Sequence, residues 1–316
     1  MPSINKRFGP GFLDCQIALA SLPWGTPSEP YAVIKVAMVA DPCATSMWVH
    51  HWLDADEITL SLARDSDHYW LRVPKQADFR LDPTSCEVMC SPLAPDLNDA
   101  TLEHLLVDQI LPRYLAHLGY VALHAAMLQV DGRTLLITAP SGWGKSTLAG
   151  LLALRGHALL SDDCSLLELA DDRVIATPTY PSLRLWPDSA EALYPSGANT
   201  APMAAYSDKQ RVHGTAVHMD AQEVSALIVL GDPAESLDQP AFSPLRAVDA
   251  CLALVRHSFQ LDPGDKPRMA THLRTCSEIA RRVPAFRFDY RRDFAQADAI
   301  VAALQAHAGT LPAADG

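Results

Sequence analysis

Arg133-Thr134-Leu135-Leu136-Ile137-Thr138-Ala139-Pro140-Ser141-Gly142-Trp143-Gly144-Lys145-Ser146-Thr147 is the stretch that decides the fold. Six residues of buried-strand character run into a loop with two glycines, and residues 146–154 then read as a helix ended by Arg155-Gly156. A loop that holds a phosphate needs several backbone N–H groups converging on one anion, and glycine at 142 and 144 lets the chain turn tightly enough around it. Lys145 supplies positive charge for the β- and γ-phosphates of ATP, and the Ser146 hydroxyl is placed to ligate Mg²⁺. Ser141, Gly142, Trp143, Gly144, Lys145, Ser146 and Thr147 are therefore the candidate nucleotide-binding set. In the usual Walker A pattern, G-x-x-x-x-G-K-[ST], a glycine stands where this chain has Ala139.

One strand–helix–strand further on, residues 157–161 read as a second short apolar strand that delivers Asp162-Asp163 at its carboxyl end, where ligands collect in open α/β sheets. Two adjacent carboxylates resist joint ionisation and are costly as mere core, although Asp pairs also serve as solvated turns or helix caps. Beside a phosphate loop they gain two tasks: one carboxylate for Mg²⁺, the other for the proton of an attacking hydroxyl. His124 lies on the strand before the loop strand, read as residues 121–130. A lone histidine there is more often a satisfied core residue than a catalyst, and local sequence leaves its role open.

Further out, residues 31–39, 57–62 and 68–73 have strand character, the last two alternating polar and apolar residues as half-buried antiparallel strands do. Residues 1–97 are expected to form a small β-rich N-terminal domain. A linking helix over 98–118 follows, with Asn98 or Asp99 as N-cap, a kink or break at Pro112 and a stop at Gly119. The second domain is expected to span 98–309, with a strand at 224–230 and helices at 243–258, 268–283 and 293–306, before a loose tail at 310–316.

Composition narrows the alternatives. The 316 residues are 49% apolar and 20% charged, enough for a sizeable core and too balanced for general disorder. A formal charge of −12 repels a nucleic-acid backbone, so no nucleic-acid partner is expected. No apolar run approaches the ~20 residues of a membrane span, and the N-terminus has no apolar signal core, so no membrane partner and a cytoplasmic location are expected. Seven scattered cysteines fit no complete disulfide framework, and Cys86 and Cys90 lack a second Cys/His pair for zinc.

Taken together, His124, Asp131-Gly132, Ser141-Gly142-Trp143-Gly144-Lys145-Ser146, Arg155-Gly156-His157 and Asp162-Asp163 resemble the HPr kinase/phosphorylase family in order and spacing, over residues 120–165. More loosely, Leu106-Val107-Asp108-Gln109-Ile110-Leu111-Pro112 and Ser182-Leu183-Arg184-Leu185-Trp186-Pro187 resemble HPr-kinase-related proteins found beside bacterial peptide-modification genes, some of them lasso-peptide precursor kinases. The resemblance implies an α/β fold with a P-loop kinase core of the HPr kinase/phosphoenolpyruvate carboxykinase type. It implies an ATP- and Mg²⁺-dependent serine kinase acting on a small peptide. By position, Asp162 becomes the base at the acceptor hydroxyl, Asp163 a metal-side carboxylate and His124 a neighbour tuning Asp162, with the two aspartates open to exchange. The family forms hexamers, so a homo-oligomer is open too. Two departures, Ala139 and the lack of the family's later Arg-Gly-rich signature with its metal-binding glutamate, weigh against HPr as substrate and against the reverse phosphorylase reaction.

Arg184, Lys209 and Arg211 are candidate contacts to substrate or phosphate, since phosphoryl transfer concentrates negative charge. Arg184 reads equally well as a surface residue beside a core Trp186. Lys209 and Arg211 sit in what reads as a flexible loop around Ser207-Asp208 that can close on substrate. Arg281-Arg282 and Arg291-Arg292 read as solvated faces, with contact to an acidic peptide the alternative for the first pair. Two other functions stay in competition: a kinase for a small alcohol metabolite, and a non-catalytic nucleotide-sensing interaction module.

Overall fold

The computed structural model describes residues 4–25, 33–40, 42–43, 47–212, 219–235 and 237–312. The described residues are mixed α/β with four sheets, and the chain divides into two compact units. None of the described helices is long and apolar enough to cross a membrane.

The first unit is built on an eight-stranded sheet. Its strands are β1 (Ile4–Phe8), β2 (Gly11–Cys15), β3 (Val33–Met38), β4 (His50–Asp54), β5 (Glu57–Arg64), β6 (Tyr69–Val73), β7 (Ala77–Asp82) and β8 (Glu87–Pro92), in the order β1-β2-β3-β8-β7-β6-β5-β4. β4 to β8 form an antiparallel meander, as the period-2 patterning of the last two predicted strands requires. Residues 31 and 32 of the predicted 31–39 strand lie outside the described residues.

The expected helix is present but not uniform: α1 (Asp99–His104) passes into a π-helical segment (Leu105–Ile110) and then α2 (Leu111–His117). Pro112 supplies the reason. It has no N–H, and its ring would clash with the carbonyl four residues back in a regular helix, so a wider turn precedes it. Asn98 caps the start, its side chain accepting from the Thr101 N–H.

The domain boundary expected at 97/98 moves to Tyr120/Val121, and the helix belongs to the first unit. Tyr114, fully buried, donates to the Asp82 carbonyl, and Glu103 accepts from the backbone and hydroxyl of Ser21. The unit also recruits two later excursions, residues 204–206 and 260–269, through Ala205 N–H on Thr101, Asp262 on Arg64, and Arg268 on the His117 carbonyl. No local pattern marks such excursions, because they are held by contacts more than a hundred residues away.

The second unit centres on a six-stranded sheet of order β12-β10-β11-β19-β21-β20. In chain order the second unit comprises β9 (Val121–Leu123), β10 (Ala125–Val130), β11 (Arg133–Thr138), α3 (Lys145–Leu154), β12 (Ala158–Ser161), β13 (Ser165–Ala170) and β14 (Arg173–Pro178). There follow β15 (Leu183–Leu185), α4 (Pro187–Leu193), β16 (Thr200–Ala204), β17 (Ser207–Val212), β18 (Gln222–Glu223), β19 (Ala226–Leu230) and β20 (Ala241–Pro244). The last are α5 (Ala247–His257), α6 (Lys266–Arg282), β21 (Ala285–Asp289) and α7 (Ala297–Thr310). β11, β19 and β21 run parallel, so their carboxyl ends face the same way. Alternate strand residues bury in two clusters: Ala126, Leu128, Leu135 and Ile137 against α3 and α7, and Ala125, Met127 and Leu136 against α5 and α6.

Three expectations change. The single strand at 121–130 breaks at His124, with β9 in a four-stranded sheet (β18-β14-β13-β9) and β10 in the central one. Residues 243 and 244 of the expected 243–258 helix instead end edge strand β20 on β21, where Pro244 costs no ladder bond on its open side. The tail at 310–316 begins later than expected, since α7 reaches Thr310 and Leu311 is buried in the core.

Candidate active site

The central strand β11 delivers the loop where the sequence places it. Gly142 (φ +81°) and Gly144 (φ +90°) take the left-handed backbone that any Cβ would strain, and Gly144 is the N-cap of α3. Ala139 has no positive φ and is fully buried in the core, so this position makes no conformational demand for glycine. The N–H groups opening α3 face a cavity of about 310 Å³, lined by Pro140 to Leu148.

Lys145 points back beneath the loop. Its Nζ donates to the Asp162 carbonyl (2.6 Å) and to Asp163 Oδ1 (2.9 Å), and lies 3.5 Å from Asp162 Oδ1. Burial alone would lower its basicity, but Asp162 and then Asp163 outweigh that and hold it above the ordinary lysine value. The Asp162–Cys164 turn is pinned from behind, with Ser161 and Thr179 hydroxyls both donating to the Cys164 carbonyl.

The two aspartates differ sharply. Asp162 is 0% exposed; its Oδ2 accepts the Arg184 N–H, and burial raises its carboxyl above the usual range against the pull of Lys145. Asp163 lines the cavity. Its Oδ1 meets Lys145 and, at 3.3 Å, His124 Nε2, while Oδ2 is paired with the Arg184 guanidinium. Burial pushes the Asp163 carboxyl up, but Lys145, then Arg184 and His124, together hold it well below the ordinary carboxylate range.

His124 occupies the break between β9 and β10. Its N–H donates to the His257 carbonyl (2.8 Å) and its carbonyl accepts from Thr138 (2.9 Å), which turns the side chain out of the core toward Asp163. The expected neighbour of Asp162 is thus the neighbour of Asp163. Arg184 and Trp186 exchange the burial expected of them: Arg184 is 2% exposed and Trp186 47%. Arg184 is far from a solvated surface residue, and both line the cavity.

Ser207-Asp208 is not a loop. It opens β17, which pairs with β15 so that Arg211 stands opposite Arg184. The two predicted cations stand two residues apart on β17, but they do not keep their expected common role. Lys209 lines the cavity, its Nζ 5.3 Å from the Trp186 ring centroid, while buried Arg211 does not line it. Ser141, Trp143, Ser146 and Thr147 line the cavity as well, Thr147 bonding the Ser189 hydroxyl.

No protein-family profile matches the chain. It is 31% identical over 105 residues to an HPr kinase/phosphorylase of Geobacillus sp. (strain WCH70), covering 33% of this chain and 32% of the relative. It is 30% identical over 92 residues to the HPr kinase/phosphorylase of Bacillus subtilis, covering 29% and 27%. The similarity is a distant homology to HPr kinase/phosphorylase. A third relative, from Bacillus licheniformis, is 32% identical over 108 residues (34% and 32%). The match spans about a third of the length of these curated relatives. Among solved structures, the Hpr(Ser) kinase/phosphatase from Coxiella burnetii is similar with a TM-score of 0.31 and 18% identity, over 59% of this chain and 97% of that one.

The sequence reading missed the far wall of the cavity. Tyr290, Arg292, Asp293, Phe294, Ala297 and Ile300 line it, so Arg292 is not on a solvated face as expected. Its signal was weak: the residues follow the carboxyl end of β21, but β21 itself was not predicted.

Proposed function

We propose that the chain is an ATP- and Mg²⁺-dependent kinase that transfers the γ-phosphoryl group to a hydroxyl, a serine by preference, of a small peptide such as a lasso-type precursor. One observation carries this reading: Lys145 of the loop and the cavity-facing carboxylate Asp163 are 2.9 Å apart, with His124 on the same oxygen. Donor and acceptor machinery share one cavity, which a nucleotide sensor does not need. The distant homology to HPr kinase/phosphorylase supports the reaction class.

The geometry supports moving the base from Asp162 to Asp163. Asp163 faces the cavity and serves as base, and Asp162 positions Lys145 and the Arg184 backbone. While Lys145 and Arg184 hold it, Asp163 is a weak base. Phosphates on the loop compete for both cations, so donor binding frees Asp163 Oδ1 and raises its basicity. The acceptor hydroxyl then gives its proton to Asp163 as its oxygen bonds the γ-phosphorus and the bond to the β-phosphate oxygen breaks, releasing ADP. Arg184 and Lys145 meet the charge that builds on the transferred group.

Magnesium fits the donors present: the Ser146 hydroxyl and the Asp163 carboxylate, whose two oxygens can divide between metal and proton, are hard donors that line the cavity, and phosphates and water would complete such a shell. When bound it neutralises phosphate charge. A peptide is preferred over a small alcohol because a second depression of about 520 Å³, lined by Trp186, Pro187, Asp188, Asp208 and Gln210, continues past Trp186 from the cavity. The β-rich first unit is the natural recognition element for such a peptide.

The test is mass spectrometry of the peptide encoded beside the gene, incubated with the full chain, ATP and Mg²⁺. A gain of one phosphoryl group on serine is expected, and its loss in Asp163→Asn. Full transfer by Asp163→Asn would refute the role given to Asp163.

A further inference from the structure

Phosphates on the loop account for only one end of the donor. The cavity does not end at the loop: past Gly144 it continues to the junction of β21 and α7. A Cβ added at Gly144 would lie 3.8 Å from Arg292 Nε and 3.9 Å from Tyr290 Oη, so the junction adjoins the loop directly.

Arg292 is held there in an unusual way. Its Nε donates to the Trp143 carbonyl (3.3 Å), Nη1 to the Tyr290 carbonyl (2.7 Å) and Nη2 to the Gly231 carbonyl (2.8 Å). No carboxylate lies within ion-pair distance of it among the described residues. One face of the guanidinium rests 3.8 Å from the Tyr290 ring centroid, which leaves the opposite face for the cavity it lines. The three nitrogens are spent on carbonyls, so what this group offers a ligand is a flat cationic face. Beside it, Phe294 opens the turn before α7, lines the same cavity and is still 46% exposed, a large apolar ring at a cavity mouth that core packing does not use. Leu148, Leu151 and Ile300 close the floor. The acceptor's proton is assigned to Asp163, where His124, Lys145 and Arg184 meet, and not to this junction.

We propose that the β21–α7 junction is the seat of the donor's nucleobase, a flat aromatic base stacked on Phe294 and on the cavity face of Arg292. The proposal rests on the phosphate-loop reading and adds the determinant of the nucleoside. Stacking on an aromatic ring and on a guanidinium is strong and tolerant of base identity. Arg292 has a second duty as a positioning residue, clipping the Trp143 carbonyl of the loop to the ends of β19 and β21.

The experiment titrates the full chain, with Mg²⁺, by calorimetry against ATP and against inorganic tripolyphosphate. Wild type is expected to bind ATP more tightly than tripolyphosphate. Phe294→Ala is expected to weaken ATP about tenfold while tripolyphosphate binding holds, and Phe294→Tyr to restore ATP. Lys145→Ala is expected to weaken both ligands. If Phe294→Ala binds ATP like wild type, or weakens both ligands equally, the base seat is overturned. If tripolyphosphate binds and ATP gains nothing over it, the phosphate loop stands and the base seat falls. If wild type binds neither, both readings fall together.

Discussion

Replacing Lys145 by methionine keeps the length of a buried side chain and removes its charge, so it isolates what the aspartate pair demands. Asp162 is 0% exposed, and Lys145 Nζ is 3.5 Å from its Oδ1 and 2.9 Å from Asp163 Oδ1. At an effective dielectric of ~20, each such attraction is about 5 kcal/mol before desolvation is subtracted. Breaking a buried pair from one side costs about 3–5 kcal/mol, because the partner charge stays buried. A loss of that size at neutral pH is expected for Lys145→Met, read by urea denaturation. The loss should shrink in acid. Burial already raises the Asp162 carboxyl, and Lys145 is the first charge that opposes the rise, so without it the folded value climbs further above the unfolded one. A raised carboxyl binds its proton more readily in the folded state, so the penalty exists where the group must be charged and fades as pH falls through its folded value. Adding Asp162→Asn removes the orphaned charge, and the double variant should lose less than the sum of the singles by at least about 1 kcal/mol. A loss under about 1 kcal/mol, or one equal at neutral and acidic pH, would refute the reasoning.

Three further outcomes follow from single residues. Asp163 is held well below the ordinary carboxylate range, so its contribution to stability is present above the unfolded value and disappears as pH falls through the folded one; Asp163→Asn should flatten the acid limb of the denaturation midpoint. His117 is pushed down to about 4 by burial and then by the Arg268 charge, so the folded state favours its neutral form and stability falls as pH drops from ~6.5 toward that value; His117→Gln should remove that slope, and an unchanged midpoint-versus-pH curve would contradict it. Gly144→Ala forces a Cβ onto φ +90°, at a cost of about 1–2 kcal/mol, and should weaken ATP and tripolyphosphate alike in titration, in contrast to Phe294→Ala.

The loop, the helix after it and the carboxyl-end position of the Asp pair were legible because each rests on contacts within about a dozen residues: apolar runs, two glycines, a lysine at a helix start. The same locality misled elsewhere. Ser243-Pro244 looked like a helix entrance but pairs with a strand more than forty residues away. Ser207-Asp208 looked like a loop because its polar residues suit solvent, yet it opens β17, whose last three residues pair with β15 more than twenty residues away. The helix at 98–118 was visible, but its membership of the first unit depends on Ser21 and Asp82, which no local pattern connects to it.

What the sequence by itself determined about this protein is therefore the strand, glycine loop and helix start that carry Lys145, and the place of the Asp pair after the next strand, since backbone geometry and helix starts are written in neighbouring residues. Which aspartate faces the cavity, which histidine reaches it and which arginine is buried were decided only by the tertiary structure. Asp162 and Asp163 are adjacent in the chain, and the turn between β12 and β13 sends one inward and the other into the cavity. His124 reaches Asp163 because two sheets part at its backbone. Arg184 is buried because β15 seats it between Asp163 and the Tyr180 ring, 5.1 Å away. Direction and burial belong to the packed arrangement of strands, and adjacent residues with identical side chains receive opposite environments from it.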